Sequence, residues 1–141
     1  MLKACVGIDV GGTFTKIGAV EPSGRIRLQE SFPSQVAQGP AAFVERVAGI
    51  VDRWSCEHRL ALLGVGLGLA GDVDSRRGML RFTPNLRGWD GFPFKRALER
   101  RLKSRVGVEN DASAAVWGAY VGELKRKPRH VGGITLGTGV G

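Results

Sequence analysis

The first turn of the chain excludes most α/β folds at once. Ala4-Cys5-Val6-Gly7-Ile8 is an uninterrupted apolar run, the pattern of a strand covered on both faces. It ends in Asp9-Val10-Gly11-Gly12-Thr13, and strand-forming residues resume at once with Thr15, Ile17, Ala19 and Val20. A chain that passes from strand to strand through two glycines makes a hairpin. The glycine-rich loops of P-loop and dinucleotide-binding proteins run directly into a helix, so neither fits. The turn still has phosphate-binding chemistry. Gly11 and Gly12 let the backbone approach a ligand closely, and their N–H groups with the Thr13 hydroxyl can hold phosphate oxygens. Asp9 can hold a hydrated Mg²⁺, which takes one or two carboxylates together with phosphates and water. Lys16 adds positive charge nearby. A plain Gly-Gly turn with Asp9 as a strand-end residue accounts for the same pattern.

After the turn at Pro22-Ser23-Gly24, residues 25–32 alternate, with Ile26 and Leu28 expected to face inward as a third antiparallel strand. Pro40 opens a helix whose Phe43, Val44, Val47, Ile50, Val51 and Trp54 fall on one face, a core stripe. Residues 60–70 read as a glycine-rich fourth strand ending in Ala70-Gly71-Asp72. Residues 74–91 have weak periodicity. Within them Asn85 follows Pro84; it can bond a polar ligand, although a turn role is the stronger reading of that residue taken alone. Pro93 opens a second helix with Phe94, Ala97, Leu98 and Leu102 inward. Its Lys95, Arg96, Arg100, Arg101 and Lys103 form a solvated face.

A short fifth strand, Val106 and Val108, then stops at Glu109-Asn110-Asp111 and a helix pattern begins. Asp111 is placed where a strand ends and a helix starts, the edge at which open α/β sheets collect ligands. The helix dipole favours its ionised form. Beside the Asn110 amide, such a carboxylate can take a proton from a substrate hydroxyl; a helix cap alone is the competing reading, and the pair does not choose between them. The following helix is expected to pack Ala112, Ala115, Val116 and Ala119 on the sheet. Strand order β-β-β-α-β-α-β-α implies a mixed five-stranded sheet with helices. Leu124 to His130 reads as a linker. Residues 131–136 read as a further strand, followed by the second Gly/Thr turn Gly137-Thr138-Gly139-Val140-Gly141. With no sheet to join, that strand is expected to be poorly ordered or paired with another copy of the chain. The chain is therefore read as the start of a longer protein.

Composition narrows the function classes. The chain has 141 residues, 43% of them hydrophobic, room for one domain with a real core. The 22 glycines sit at the ends of apolar segments, which suits tight turns near a ligand. Cys5 and Cys56 lack zinc spacing and read as free thiols. No leader peptide pattern and no apolar run of about 20 residues is present, so a cytoplasmic protein without membrane contact is expected. The net charge of +8 raises nucleic acid as a partner. The basic residues are spread over helix faces and a linker without interleaved aromatics, so no nucleic acid partner is expected.

Five blocks in order resemble one family: Asp9-Val10-Gly11-Gly12-Thr13, Gly68-Leu69-Ala70-Gly71, Pro84-Asn85-Leu86-Arg87-Gly88-Trp89, Glu109-Asn110-Asp111-Ala112 and Leu136-Gly137-Thr138-Gly139-Val140-Gly141. The chain resembles the N-terminal part of a ROK-family sugar kinase, glucokinase-like, in the actin/hexokinase superfamily. The resemblance implies a ribonuclease-H-like (actin-like ATPase) domain over residues 1–122, with the fourth and fifth strands parallel to the first. Residues 123–141 would be a linker, first strand and phosphate loop of a truncated second domain. It implies transfer of the ATP γ-phosphoryl group to a hexose hydroxyl, with glucose 6-phosphate as the expected product and Asp111 as base. Gly71, Asn85 and Asn110 map onto sugar-holding positions. Gly11, Gly12 and Thr13 map onto one phosphate loop, and Gly137, Thr138 and Gly139 onto the other. ATP and Mg²⁺ are the implied cofactors, with zinc only in a C-terminal part, and a homodimer when full length.

Two departures stand out. Ser113 occupies a position where many relatives have Asn, and Gly118-Ala119 one where they have Gly-Glu, which leaves the role of that Glu unfilled. The ROK repressors carry a helix-turn-helix ahead of the first strand; none is expected here. Another actin-superfamily ATPase, or a sugar sensor without catalysis, are the other readings. An N-acylated hexosamine or fructose as substrate, and polyphosphate as donor, stay open. The 141-residue piece by itself is expected to be inactive, because such kinases close two domains on their substrates.

Overall fold

A computed structural model describes residues 1–136 of the chain. The expected second phosphate loop at Gly137, Thr138 and Gly139 therefore lies outside the described residues. The elements run β1 (Leu2–Val10), β2 (Phe14–Val20), β3 (Ile26–Pro33), α1 (Gly39–His58), β4 (Leu60–Leu69), β5 (Asp72–Asp74), β6 (Met79–Phe82), α2 (Phe94–Leu102), β7 (Val106–Asn110) and α3 (Asp111–Gly122). The main sheet has the order β3-β2-β1-β4-β7. β1, β2 and β3 pair antiparallel, and β4 and β7 are added parallel. This is the mixed five-stranded sheet that the element order implied. No helix among the described residues is long and apolar enough to cross a membrane.

One face of the sheet carries the core. Ala4, Val6, Ile8 and Val10 of β1 are buried, as are Val65, Leu67 and Leu69 of β4 and Val106 and Val108 of β7. They pack against the α1 stripe of Phe43, Val44, Val47, Val51 and Trp54 and against Phe94 and Leu98 of α2. Ile50, the sixth residue of the stripe, is half-buried beside that core. The opposite face differs from the expectation of a strand covered on both sides. Lys3, Cys5, Gly7 and Asp9 alternate with the buried residues and are exposed. The apolar run hid a period of two, because glycine and cysteine count as neither clearly inward nor outward.

Three further expectations are corrected. Ile26 is 57% exposed instead of inward. The register slips between Ala19 and Val20, which pair with Leu28 and Ile26. One extra residue on β3 moves Ile26 to the open face, the usual effect of a bulge. Next, residues 131–135 form no regular strand and Leu136 makes a single bridge. Their β-rich composition favours a strand, yet Ile134 and Leu136 are 77% and 82% exposed, with no apolar face to drive pairing. Finally, α3 has no fully buried residue; Ala115 is exposed and Trp117 is 60% exposed. A Cβ added at Gly68 would meet Asp111 Cα at 3.6 Å and Ala114 Cβ at 3.9 Å. The helix thus meets the sheet through its first turn, through Ala114 where Ala115 was expected.

The β5–β6 hairpin was not legible as strands, being only three and four residues long. Asp74 Oδ1 accepts the Arg77 N–H at 3.0 Å, and Gly78 takes φ +69° to close the turn. The 83–92 loop is held by a row of rings: Trp89 lies 5.0 Å from Phe43 of α1 and 5.5 Å from Phe94 of α2, centroid to centroid.

At the outer edge of the sheet, the Arg53 guanidinium bonds the Glu30 carboxylate at 2.6 Å and the Trp54 indole N–H bonds it at 2.7 Å. The Arg53 bond is the main cause that holds the Glu30 carboxyl below its usual range; partial burial opposes it and the indole assists. A carboxyl whose pKa is lowered by folding contributes stability above its unfolded pKa and loses it as pH falls through the folded value. Urea melts should therefore show the wild-type chain losing more stability than Glu30→Gln below about pH 4. Parallel pH profiles for the two would refute the assignment.

Candidate active site

The carboxyl ends of β1, β4 and β7 converge on one edge, and the loops leaving them build the site. At β7, Asn110 and Asp111 divide the work differently from either sequence reading. Asn110 is the N-cap, its Oδ1 accepting the Ser113 N–H at 3.1 Å. Its Nδ2 donates to the Gly71 carbonyl at 3.0 Å, tying the end of β4 to the end of β7. One amide N–H and one lone pair of Asn110 remain for a ligand. Asp111 is the first residue of the helix, released from capping. Its Oδ1 accepts the Ala112 N–H at 2.9 Å, and Oδ2 has no protein partner among the described residues. An ionised carboxylate there sits on the positive end of α3.

Glu109 supports this corner from behind. Its Oε1 accepts the Asn110 N–H and its Oε2 accepts the Ser75 hydroxyl, both at 2.9 Å. The β5–β6 hairpin is thereby latched to the Asn110-Asp111 corner.

At β1, the Gly11 N–H donates to the Phe14 carbonyl at 3.0 Å and so closes the hairpin. Of the three residues expected to cradle phosphate, Gly12 and Thr13 keep backbone N–H groups with no partner among the described residues. A Cβ at Gly11 would lie 2.7 Å from the Phe14 carbonyl oxygen, and one at Gly12 3.3 Å from the main-chain carbonyl oxygen of Asn85. Glycine at position 12 thus lets the β1 turn and the Asn85 loop touch.

That loop is set by a residue the sequence reading missed. Thr83 is 4% exposed; its hydroxyl donates to the Ala70 carbonyl at 2.7 Å and accepts the N–H groups of Asn85 and Leu86 at 3.3 and 3.2 Å. The signal was present as Thr-Pro-Asn, a hydroxyl two residues before the Asn it orients. Asn85 itself is exposed, its side chain free to reach a ligand.

Gly11, Gly12, Gly71, Asn85, Asn110 and Asp111 line one cleft of about 1100 Å³. Asp9 and Lys16, opposite each other across the β1–β2 ladder, line a neighbouring hollow on the open sheet face. Asp111 borders both spaces. Thr13 lines neither. No group of three or more His, Cys, Asp or Glu that could cage a metal occurs among the described residues. The donor set suits Mg²⁺ held by one carboxylate with phosphates and water, and it does not suit a metal enclosed by protein ligands.

A mixed sheet built from an antiparallel meander with two parallel strands added, bearing a glycine turn and a carboxylate corner at its carboxyl ends, defines an actin-like ATPase fold. The chain belongs to the ROK family, whose model matches residues 5–141. It is 38% identical over 136 residues to a glucokinase of Streptomyces coelicolor, covering 96% of this chain and 41% of that protein. It is 35% identical over 139 residues to an N-acetyl-D-glucosamine kinase of Vibrio cholerae, covering 96% and 44%. The crystal structure of a ROK family glucokinase from Streptomyces griseus in complex with glucose and AMPPNP matches with a TM-score of 0.83 at 35% identity, over 98% of this chain and 43% of that one. The chain spans about two-fifths of the length of the curated relatives it matches.

Proposed function

We propose that the protein containing this chain is a sugar kinase that moves the γ-phosphoryl group of ATP to a hexose hydroxyl, glucose being the first candidate. The observation that carries this reading is the free Oδ2 of Asp111 in the same cleft as Gly12, Asn85 and Asn110. The substrate oxygen attacks the γ-phosphorus, the bond to the β–γ bridging oxygen breaks, ADP leaves, and the hydroxyl proton passes to Asp111 Oδ2. Phosphoryl transfer asks the protein chiefly for positioning and charge neutralisation, so an ionised carboxylate in reach of the hydroxyl suffices. Asn85, the remaining amide hydrogen of Asn110 and the loop at Gly71 orient the sugar. The free Gly12 N–H faces the phosphates from the cleft, and Lys16 adds positive charge from the neighbouring hollow that Asp111 also borders. Asp9 is the residue that would hold Mg²⁺ through water, and the ion would supply neutralisation of the phosphate charge.

The glucose and AMPPNP of the Streptomyces griseus structure support this choice of substrates. The N-acetyl-D-glucosamine kinase relative keeps an N-acylated hexosamine as the second candidate. Residues 1–122 act as the sugar- and phosphate-binding wall, and residues 123–141 lead to a second wall that carries the rest of the nucleotide site. Residues 1–141 alone are accordingly inactive.

An ADP-coupled assay of the complete polypeptide against glucose, N-acetylglucosamine and fructose tests the reading, with residues 1–141 run beside it. Glucose-dependent ADP release by the complete protein and none by the shorter piece is expected. No ADP release with any sugar would overturn the kinase assignment.

A further inference from the structure

We propose that Ser34 is a positioning residue for the phosphoryl donor, acting through the glycine turn after β1; the proposal rests on the kinase reading above. Ser34 lies just past β3, away from every motif that marks the site, and it is completely buried together with Thr15 of β2. Two fully buried hydroxyls in an otherwise apolar core are costly unless each is bonded. Here both are. The Ser34 hydroxyl donates to the Gly11 carbonyl at 2.6 Å, and the Thr15 and Ser34 hydroxyl oxygens are 2.9 Å apart. A hydroxyl has one hydrogen, so with that of Ser34 on Gly11 the Thr15 hydroxyl is the donor to Ser34. The Ser34 N–H donates to the Thr13 carbonyl at 2.8 Å. Ser34 thus holds the carbonyls on both sides of Gly12.

Planarity turns that grip into an orientation. Every peptide bond among the described residues is trans, so the Gly11 carbonyl and the Gly12 N–H share a plane and point in opposite directions. With the carbonyl drawn inward to Ser34, the Gly12 N–H is directed outward, on the side of the cleft that Gly12 lines. It is one of the two turn N–H groups without a protein partner. Such preorganised donors favour an anion because they need no reorientation when it binds.

Ser34 is itself fixed from two sides. Arg46 of α1 donates to the Ser34 carbonyl at 2.6 Å and to the Gln35 side chain. The Trp89 indole N–H donates to the Val36 carbonyl at 3.0 Å. Gln35 between them takes φ +49°, a left-handed conformation that a non-glycine residue keeps only when its surroundings impose it. Trp89 belongs to the loop that carries Asn85. The short stretch from Ser34 to Val36 is therefore a common anchor for the donor-side turn and, through Trp89, for the sugar-side loop.

The test compares two variants in the complete protein. Ser34→Ala removes the bond to Gly11 and with it the acceptor of the Thr15 hydroxyl. Thr15→Val removes one buried hydroxyl bond of similar worth but leaves the Ser34–Gly11 bond in place. The expected result is a rise of about tenfold in the KM for ATP for Ser34→Ala, the worth of one well-made hydrogen bond, with the sugar KM within about twofold of wild type. Thr15→Val breaks only the Thr15–Ser34 bond of these two hydroxyl bonds, so it should lose less thermal stability than Ser34→Ala and change the KM for ATP by less than about threefold. A merely structural role would move the KM for ATP and for sugar alike. An unchanged KM for ATP in Ser34→Ala, equal rises in the two variants, or equal rises for ATP and sugar would each overturn the proposal. Should Ser34→Ala fail to fold, Ser34→Cys replaces the donor by a weak one and meets the same criteria. Titration of AMP-PNP by calorimetry separates this inference from the kinase reading. If the wild type binds AMP-PNP but phosphorylates no sugar, the kinase reading falls, and a tenfold weaker complex with Ser34→Ala still supports the positioning role. No binding by the wild type overturns both.

Discussion

Asp111→Asn in the complete protein is expected to lower kcat by about 10²- to 10⁴-fold, the usual worth of a positioned base, and to leave the sugar KM within a few-fold of wild type. The substitution is informative because of how the corner is built. The helix cap is Asn110, through its bond to the Ser113 N–H, so Asp111 is not needed for capping. An amide oxygen at position 111 can still accept the Ala112 N–H, as Oδ1 does now. What the amide cannot do is carry a negative charge or take a proton. Asp111→Ala should show a similar loss of turnover with some added loss of stability, since the Ala112 N–H then loses its partner. Near-normal turnover in the Asn variant would return Asp111 to a structural role and remove the proposed base.

Gly71→Ala is expected to raise the sugar KM by at least about tenfold and to lower stability by about 1–3 kcal/mol. Gly71 has φ +141°, a conformation that side chains rarely adopt. An added Cβ would lie 2.5 Å from the Phe82 carbonyl oxygen and 2.9 Å from Thr83 Cβ. Neither neighbour can withdraw freely, because Thr83 is bonded to the Ala70 carbonyl and to the N–H groups of Asn85 and Leu86. Relief of the clash must shift the Gly71 carbonyl, which holds the Asn110 amide, or the loop that carries Asn85. Both consequences fall on the side of the cleft proposed to hold the sugar. Gly88→Ala is the matched control, with φ +82° and open space around the added carbon. It bears the backbone cost without the clash. Equal sugar KM values for the two variants would show that the packing at Gly71 does not set the sugar site.

Local chemistry determined a large part of this protein. The Gly-Gly hairpin, the α1 stripe from Phe43 to Trp54, the Pro-led α2 and the strand-to-helix corner at Asn110 and Asp111 depend on residues within one or two turns of each other. Periodicity and capping preferences act at that range and are readable without coordinates. The mixed sheet followed from the order of those elements. The cap itself is local, from Asn110 to the Ser113 N–H, and Asn and Asp both suit it, so residue type alone left the choice between Asn110 and Asp111 open. The bond from Asn110 to the Gly71 carbonyl, 39 residues away, exists only in the tertiary structure. The same holds for the buried pair Thr15 and Ser34, 19 residues apart, whose hydroxyls meet only when β2 and β3 are paired. Ile26 reads as inward until the slipped pairing with β2 turns it to the open face. Residues 131–135 have the composition of a strand, yet a strand needs a partner edge, and composition does not supply one. Hydrogen-bond partners and facing directions are properties of pairs distant in the chain, and a reading that moves along it residue by residue reaches them only after the fold has brought them together.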